Sequence, residues 1–168
     1  MDKDTREVRY WLEGDLSWKE ELDKATVIIG HNIAGYDLPI LKKLFGWVPK
    51  HSVKIQGTML MSLVLDYNKF PQGRHSLENW GEYLGYPKIK FDDFSKFTPE
   101  MLTYWRRDVE ITDLVHDEVF ALFTNLFAKE KKIATYLKSE NYVSRFAAEA
   151  ELYGWPFNKT EAKKLLLQ

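Results

Sequence analysis

Residues 25–37 read ATVIIGHNIAGYD, and this stretch decides the fold. Its first half is a short β-branched run that ends at Gly30, a pattern typical of a buried strand. A polar loop follows, and a helix is predicted to start near Asp37. Pro39 lies in the first turn of that helix, where the missing backbone N–H costs nothing. This succession of strand, loop and helix indicates an α/β domain.

Helices dominate the rest of the prediction. The sequence predicts them over Ser17–Lys24, Asp37 to about Phe45, Thr58–Leu65, Ser76–Leu84, Thr98 to about Phe127, roughly Ile133–Tyr153, and onward from Asn158. The clearest start is Thr98-Pro99, a capping threonine followed by proline at the first helical position. A short strand is expected at Glu7–Leu12, and residues 68–73 and 89–96 are expected to be irregular. In the helix from Thr58, the side chains expected to be buried are Met59, Leu60 and Leu63.

The composition is that of a globular domain. The chain has 168 residues, of which 45% are hydrophobic and 15% aromatic, enough for a sizeable core. Cysteine is absent, which excludes disulfides and thiolate metal sites and favours a reducing, intracellular compartment. No apolar run approaches the ~18 residues of a membrane span, and no signal-peptide pattern is found. The net charge of −1 neither supports nor excludes an enzyme that grips a few phosphates locally.

Three polar side chains stand out for their placement. Asp37 follows the predicted strand and loop, and Tyr104 and Asp108 are four residues apart, so they share one helix face. Each has an ordinary structural interpretation: Asp37 as a helix-capping or first-turn carboxylate, and Tyr104 as a half-buried ring beside a solvated Asp108. Their joint occurrence with the spacing Asn32-x-x-x-Tyr36-Asp37 favours a common site.

Five segments, in this order, resemble one known family. Residues 28–41 and 104–108 look like the second and third motifs of the DEDD-type 3′–5′ exonucleases, in the tyrosine-bearing form of phage-type family A DNA polymerases. Residues 58–62 and 74–80 are similar to the helix and the His-x-Leu segment that lie between those motifs. Residues 151–158 resemble the junction into the polymerase domain. The resemblance covers roughly residues 20–165.

The resemblance implies an RNase H-like (DnaQ-like exonuclease) α/β fold with a reduced, N-terminally truncated sheet and a mostly helical C-terminal half. A truncated exonuclease domain is expected over residues 1–130, followed by a helical junction segment over 131–168. Asp37 and Asp108 would be metal ligands, and they would be catalytic together with Tyr104, whose hydroxyl orients the attacking water. The implied cofactors are two Mg²⁺ or Mn²⁺ ions, since two cations clamp the attacking and leaving oxygens and prefer oxygen ligands.

The implied substrate is a single-stranded DNA 3′ end, hydrolysed in a metal-dependent reaction. The resemblance places Asn32 near that end and adds Tyr36 and His75 as DNA-binding residues. Tyr36, Trp80 and Trp105 are candidates for stacking on bases, although aromatics at helical spacing are commonly core residues. No membrane partner is expected, and the expected location is the cytoplasm of a bacterial or virus-infected cell.

One motif of that family is not found in the sequence: the strand that ends in Asp-x-Glu. Asp2, Asp4 and Glu7 are acids near the start, but no hydrophobic strand leads into them, and residues 6–11 fit better as a third strand of the sheet. We therefore expect a fragment or split-gene product that is impaired when alone. Two alternatives stay open: an inactive nucleic-acid-binding module, or a polymerase-complementing module whose missing strands and carboxylates come from another polypeptide.

Overall fold

The structure is a computed structural model, and it describes residues 1–154 and 156–166. The elements in chain order are α1 Trp18–Lys24, β1 Val27–Gly30, α2 Asp37–Phe45, β2 Lys54–Gly57, α3 Thr58–Leu65, two 3₁₀ turns at Tyr67–Lys69 and Pro71–Gly73, α4 Leu77–Tyr83, α5 Pro99–Lys129, α6 Ile133–Tyr153 and α7 Lys159–Leu166. Trp155 of the predicted junction, and Leu167 and Gln168 of the predicted 131–168 segment, lie outside the described residues.

The sheet consists of β1 and β2, which run parallel with Val27 opposite Lys54 and Gly30 opposite Gly57. The β-branched run at β1 predicts this strand correctly. β2 is missing from the prediction because its four residues contain a single strong strand former, Ile55. Its conformation depends on pairing with β1, a partner more than twenty residues away. At this coarse level the α/β class is confirmed.

The outer edge of β2 is covered by a helix. The Nδ2 of Asn141, on α6, donates a hydrogen bond of 2.8 Å to the backbone carbonyl of Ile55. This amide takes the place that the N–H of a neighbouring strand would have, and it blocks strand pairing there. No further strand pairs with β1 in the described part of the chain, and Val27 remains 37% exposed. The open edge of this sheet is therefore the edge of β1.

The N-terminal strand prediction is wrong. Residues 1–16, all of them described, form no strand, so neither Glu7–Leu12 nor the proposed third strand at residues 6–11 exists. Arg6 has a φ of 61°, which lies in the left-handed region and breaks an extended chain. This segment is polar and lacks a strand partner, so no interaction offsets the conformational entropy that the chain would lose in forming a strand.

Residues 1–9 instead form what we call the N-terminal strap, held on α5 by ion pairs. The Nζ of Lys3 lies 2.6 Å from carboxylate oxygens of both Asp113 and Asp117. Arg6 pairs with the same two carboxylates. Asp113 is buried under these contacts. Charge, rather than strand pairing, fixes the path of the strap.

The main core lies between α5 and the helices α3 and α4. Ile111, Val115 and Val119 are fully buried on one face of α5, spaced four residues apart. They pack with a cluster of side chains from other elements: Met61, Phe70, Trp80, Leu65, Leu77, Leu84, Tyr86 and Leu137. α5 thus organises the domain and also carries Tyr104 and Asp108.

The buried face of α3 differs from the predicted one. Thr58, Met61 and Ser62 are buried, whereas Met59, Leu60 and Leu63 are only partly buried. The helix is apolar on most of its surface, so the hydrophobic pattern alone does not specify which side meets α5. The packing against α5 selects Met61, and polar contacts described below select Thr58 and Ser62.

α6 spans the predicted Ile133–Tyr153. Its Leu137 packs against the main core, so α6 is joined to the part of the chain that precedes it. The boundary expected at residues 130/131 stays a prediction. None of the helices within the two described ranges combines the length and the apolar character that a membrane span requires.

Candidate functional site

The loop after β1 is a tight turn that presents polar side chains. The carbonyl of Asn32 accepts hydrogen bonds from the backbone N–H groups of Gly35 and Tyr36, at 3.1 and 3.0 Å. A Cβ at Gly35 would come within 2.8 Å of the Asn32 side-chain oxygen, so a larger residue there would displace the Asn32 side chain. Ile33 is buried and anchors the loop. Asn32 and Tyr36, both predicted to bind DNA, are therefore exposed on a fixed support.

Asp37 is the first residue of α2, which agrees with its structural interpretation as a first-turn carboxylate. The residue as a whole is exposed, yet the protein packed around the carboxyl group desolvates it and raises its pKa. A hydrogen bond from its own backbone N–H partly opposes this rise. Its predicted catalytic and metal-binding roles stay predictions.

Two histidines, the half-buried His31 and the buried His75, connect this loop to the segment before α4. His31 Nε2 donates to the carbonyl of His75, and Nδ1 accepts from the hydroxyl of Thr58, both at 2.8 Å. His75 in turn contacts the hydroxyl of Ser62 through Nδ1, and its Nε2 donates to the carbonyl of Tyr67 at 3.1 Å. Burial is the main cause that lowers the pKa of His31 to about 4. Burial thus keeps His31 neutral at ordinary pH, and the hydrogen bond to the carbonyl of His75 partly opposes this effect.

This network changes the interpretation of His75. Its side chain is 2% exposed and both ring nitrogens are hydrogen-bonded internally, so contact between this ring and DNA would require those bonds to open. Sequence reasoning missed His31 as a structural residue. Its position directly after an apolar strand was the available signal, because a side chain there enters the interior and needs polar partners.

Tyr104 and Asp108 share one face of α5, and a lysine contacts both. The Nζ of Lys88 lies 3.0 Å from Oδ2 of Asp108 and 3.3 Å from the hydroxyl of Tyr104. Burial lowers the pKa of Lys88, but the hydrogen bonds and charges of its two partners outweigh this effect, and the pKa is raised overall. Oδ1 of Asp108 is buried and finds no hydrogen-bond donor among the described residues.

Residues 86–97, which we call the covering loop, pack over Tyr104. Phe91 stacks on the Tyr104 ring at 5.6 Å between centroids, and Phe94 meets the same ring edge-on at 5.8 Å. Phe91 and Phe94 also contact each other at 5.0 Å. The phenol predicted to orient a water is thus held between aromatic rings, with its hydroxyl beside Lys88.

The candidate base-stacking residues have different environments. Trp80 is 1% exposed and belongs to the core. This agrees with the alternative that an aromatic residue at helical spacing is a core residue. Tyr36 is 62% exposed, and Trp105 is 44% exposed and packs against Phe97. Tyr36 and Trp105 remain available for contact with a base.

The predicted motifs are connected through β1 and α5. α5, which carries the third motif, packs against β1, the strand that leads into the loop of the second motif. In the described part of the chain, Asp37 forms neither a hydrogen bond nor an ion pair with Tyr104 or Asp108. The described contacts join the two motifs through the packing of α5 on β1.

The residues present do not fit a two-metal centre. No three His, Asp or Glu side chains of the described ranges are grouped in a way that could hold a metal ion. Of the two oxygens of Asp108, one is paired with Lys88 and the other is occluded. A pair of divalent cations needs several exposed oxygen ligands, which this arrangement does not offer.

Of the three acids near the start of the chain, Asp2 and Glu7 make local side-chain contacts. Oδ1 of Asp2 accepts hydrogen bonds from the backbone of Asp4 and from both the backbone and the hydroxyl of Thr5. Glu7 pairs with Arg9. These contacts shape the turn within the N-terminal strap.

No protein-family model matches this chain, and comparison with curated proteins and with solved structures finds no significant match. The motifs and the geometry around Tyr104 and Asp108 therefore remain the evidence for function.

Proposed function

We propose that this chain is a proofreading-type 3′–5′ exonuclease domain of a DNA polymerase, with an RNase H-like fold, that is catalytically incomplete by itself. Its substrate would be the single-stranded 3′ end of DNA, and its reaction the hydrolysis of the terminal phosphodiester. The observation that carries the proposal is the packing of α5, the helix of Tyr104 and Asp108, against β1, the strand that leads into the loop of Asn32 and Asp37.

The location of the polar loop supports this proposal. Asn32 and Tyr36 lie beyond the carboxyl end of a parallel strand, the usual place for a ligand site in an α/β protein. An exposed amide and an exposed phenol at this place suit a nucleotide, which offers hydrogen-bonding base edges and a ring face. Asp37 begins the next helix on the same side.

The incompleteness has a physical basis. In the exonuclease family that the sequence resembles, four carboxylates hold the Mg²⁺ or Mn²⁺ ions that promote hydrolysis. The sequence supplies two carboxylates at matching positions, Asp37 and Asp108. The open edge of β1 is where a further strand would add to the sheet, because Asn141 covers the edge of β2. We propose that additional strands and carboxylates come from a polypeptide segment outside these 168 residues.

A second candidate function is a nucleic-acid-binding module without catalysis. The ion pair between Lys88 and Asp108 favours it, because the carboxylate is neutralised where the first proposal needs a metal ligand. Exposed Tyr36 and Trp105 would then supply the contacts with the bases.

The experiment incubates the purified chain and its Asp108→Ala variant with 5′-labelled single-stranded DNA and Mn²⁺. Asp92→Ala is the matched control, because this aspartate is exposed on the covering loop. The exonuclease proposal expects slow shortening from the 3′ end that Asp108→Ala abolishes and Asp92→Ala preserves. Shortening that is equal in all three samples contradicts it. DNA binding without shortening, unchanged in Asp37→Asn, supports the binding module.

A further inference from the structure

His116, on α5, is a buried histidine with one unpartnered ring nitrogen. It is 8% exposed, and its ring stacks on that of Phe120 with 5.6 Å between the ring centroids. Nε2 donates a hydrogen bond of 2.9 Å to the side-chain oxygen of Gln56, on β2. Nδ1 is buried and finds no hydrogen-bond partner in the part of the chain that the structure describes. Because Nε2 carries the ring proton in this arrangement, Nδ1 is the nitrogen that would take up a second proton.

This nitrogen lies beside the ion pairs that hold the N-terminal strap on α5. It is 4.0 Å from Oδ1 of Asp117, and the same oxygen is 2.6 Å from Nζ of Lys3. Arg6 also pairs with Asp117, and both cations of the strap pair with Asp113. β2 presents the uncharged Gln56 to the ring. Within the described residues, the ring is thus set against two carboxylates of its own helix and two cations of the strap.

A proton on Nδ1 would weaken the attachment of the strap in two ways. The imidazolium would repel the nearby ammonium of Lys3, and its new N–H would compete for the Asp117 oxygen that Lys3 holds. Burial and the charge of Lys3 lower the pKa of His116 below its ordinary value of 6.5, and the charge of Asp117 partly opposes them. Release of the strap removes Lys3 from the ring. The released state therefore binds the proton more readily than the attached state.

We propose that the N-terminal strap is a pH-sensitive segment that is released from α5 when His116 takes up a proton. Attachment is strongest above about pH 6.5 and weakens as the pH falls below that value, because the released state then gains the proton first. Burial raises the pKa of Asp117, but hydrogen bonds and charges from Lys3 and Arg6 outweigh this effect and lower it overall. Asp117 therefore stays ionised in this range, and the change comes from the ring.

The test follows the mobility of the strap with one spin label. The chain contains no cysteine, so Asp4→Cys, at an exposed position of the strap, carries a single nitroxide. The line shape of its electron paramagnetic resonance spectrum separates attached from released strap. With the native His116, the ratio of released to attached strap is expected to rise at least about threefold between about pH 7.5 and about pH 5. Circular dichroism at each pH distinguishes release of the strap from unfolding of the whole chain.

Two histidine variants of the labelled chain assign the effect. His116→Gln cannot take up the proton, and its ratio of released to attached strap is expected to stay constant over the same pH range. His51→Gln is the matched control at an exposed position and is expected to behave like the chain with both histidines. A rise that persists in His116→Gln, or a constant ratio in the chain with both histidines, would overturn the proposal.

A reciprocal measurement covers the case in which His116→Gln does not fold. If protonation releases the strap, then loosening the strap must make protonation easier. Lys3→Met is therefore expected to release more of the labelled strap at about pH 7.5. It is also expected to raise the midpoint of the His116 ring titration, followed by nuclear magnetic resonance, by at least about 0.5 pH units.

Lys138→Met, at an exposed position of α6, is the control for this measurement and is expected to change neither quantity. Equal midpoints in the wild type and in Lys3→Met would refute the coupling between His116 and the strap. None of these samples contains DNA, so a failure of the chain to degrade DNA contradicts the proposed function and leaves the result on the strap intact.

Discussion

A histidine that is largely withdrawn from water folds in its neutral form, because burial penalises the charged ring. His31 is in this state, with partners at Thr58 and His75. In the unfolded chain its pKa is near 6.5, and burial lowers it to about 4 in the folded chain. Between these two values the unfolded chain takes up a proton that the folded chain does not. Stability is therefore full above about pH 6.5 and falls as the pH falls toward 4.

This linkage predicts a pH-dependent difference between the wild type and His31→Gln. The wild type is expected to lose about 2 kcal/mol more unfolding free energy than the variant between about pH 7.5 and about pH 5. Urea unfolding at both pH values, followed by circular dichroism, measures the difference. Parallel losses in the two proteins would show that His31 is protonated as easily in the folded chain as in the unfolded one.

At the scale of elements, α5 supports both the core and the site. Its buried face carries Ile111, Val115 and Val119, and its N-terminal turns carry Tyr104 and Asp108. Any shift of this helix to fill a lost core contact also moves Tyr104 relative to the covering loop. The packing of the core and the geometry of the site are therefore coupled through α5.

Ile111→Ala is expected to destabilise the protein by about 2–5 kcal/mol, because it leaves a cavity at a position with no solvent access. Leu114→Ala is the control on the same helix. Leu114 is 40% exposed, and its truncation is expected to change the unfolding free energy by less than about 0.5 kcal/mol. Thermal and urea unfolding compare the two variants. Similar losses in both would contradict the packing of α5 described above.

The second element-scale feature is the covered edge of β2. Asn141→Ala removes the donor to the Ile55 carbonyl and is expected to cost about 1 kcal/mol. It also opens that edge to strand pairing between molecules. Asn125→Ala, at an exposed position of α5, is the control. Urea unfolding and sedimentation velocity report stability and association, and a monomeric Asn141→Ala variant of unchanged stability would refute the role of this contact.

For the molecule as a whole, the N-terminal strap is fastened to α5 by four charged side chains. Asp113 is the buried member, and it faces Lys3 and Arg6. Replacing this carboxylate leaves two cations on the strap with only the exposed Asp117 as partner. Most residues of the strap are exposed, so its attachment to α5 depends on this pairing.

Asp113→Asn is therefore expected to lower the unfolding free energy by about 1–2 kcal/mol, discounted for the partly exposed Lys3 and Arg6. It is also expected to accelerate tryptic cleavage within the first nine residues. Glu118→Gln, at an exposed position of the same helix, serves as the control. Limited proteolysis with mass spectrometry measures the cleavage rate, and equal rates in both variants would show that the strap is held by other contacts.

The sequence alone determined the helices and the first strand, because their signals are local. The hydroxyl of Thr98 accepts from the backbone N–H of Met101 at the start of α5, as a capping threonine before proline predicts. α6 ends before Gly154 for the same kind of reason. Capping, glycine and proline effects act within a few residues, so these boundaries are readable without the fold.

The shared face of Tyr104 and Asp108 was also readable, since it follows from helical spacing. Their partner was not: Lys88 lies in an irregular loop with no periodicity, and only the anchoring of that loop on α5 brings the ammonium to Asp108. β2 and the N-terminal strap belong to the same category. β2 forms by pairing with β1, which is distant in sequence. The N-terminal strap forms ion pairs with distant carboxylates of α5 and pairs with no strand. Long-range pairing and charge contacts leave little trace in local sequence, so tertiary structure alone decided them.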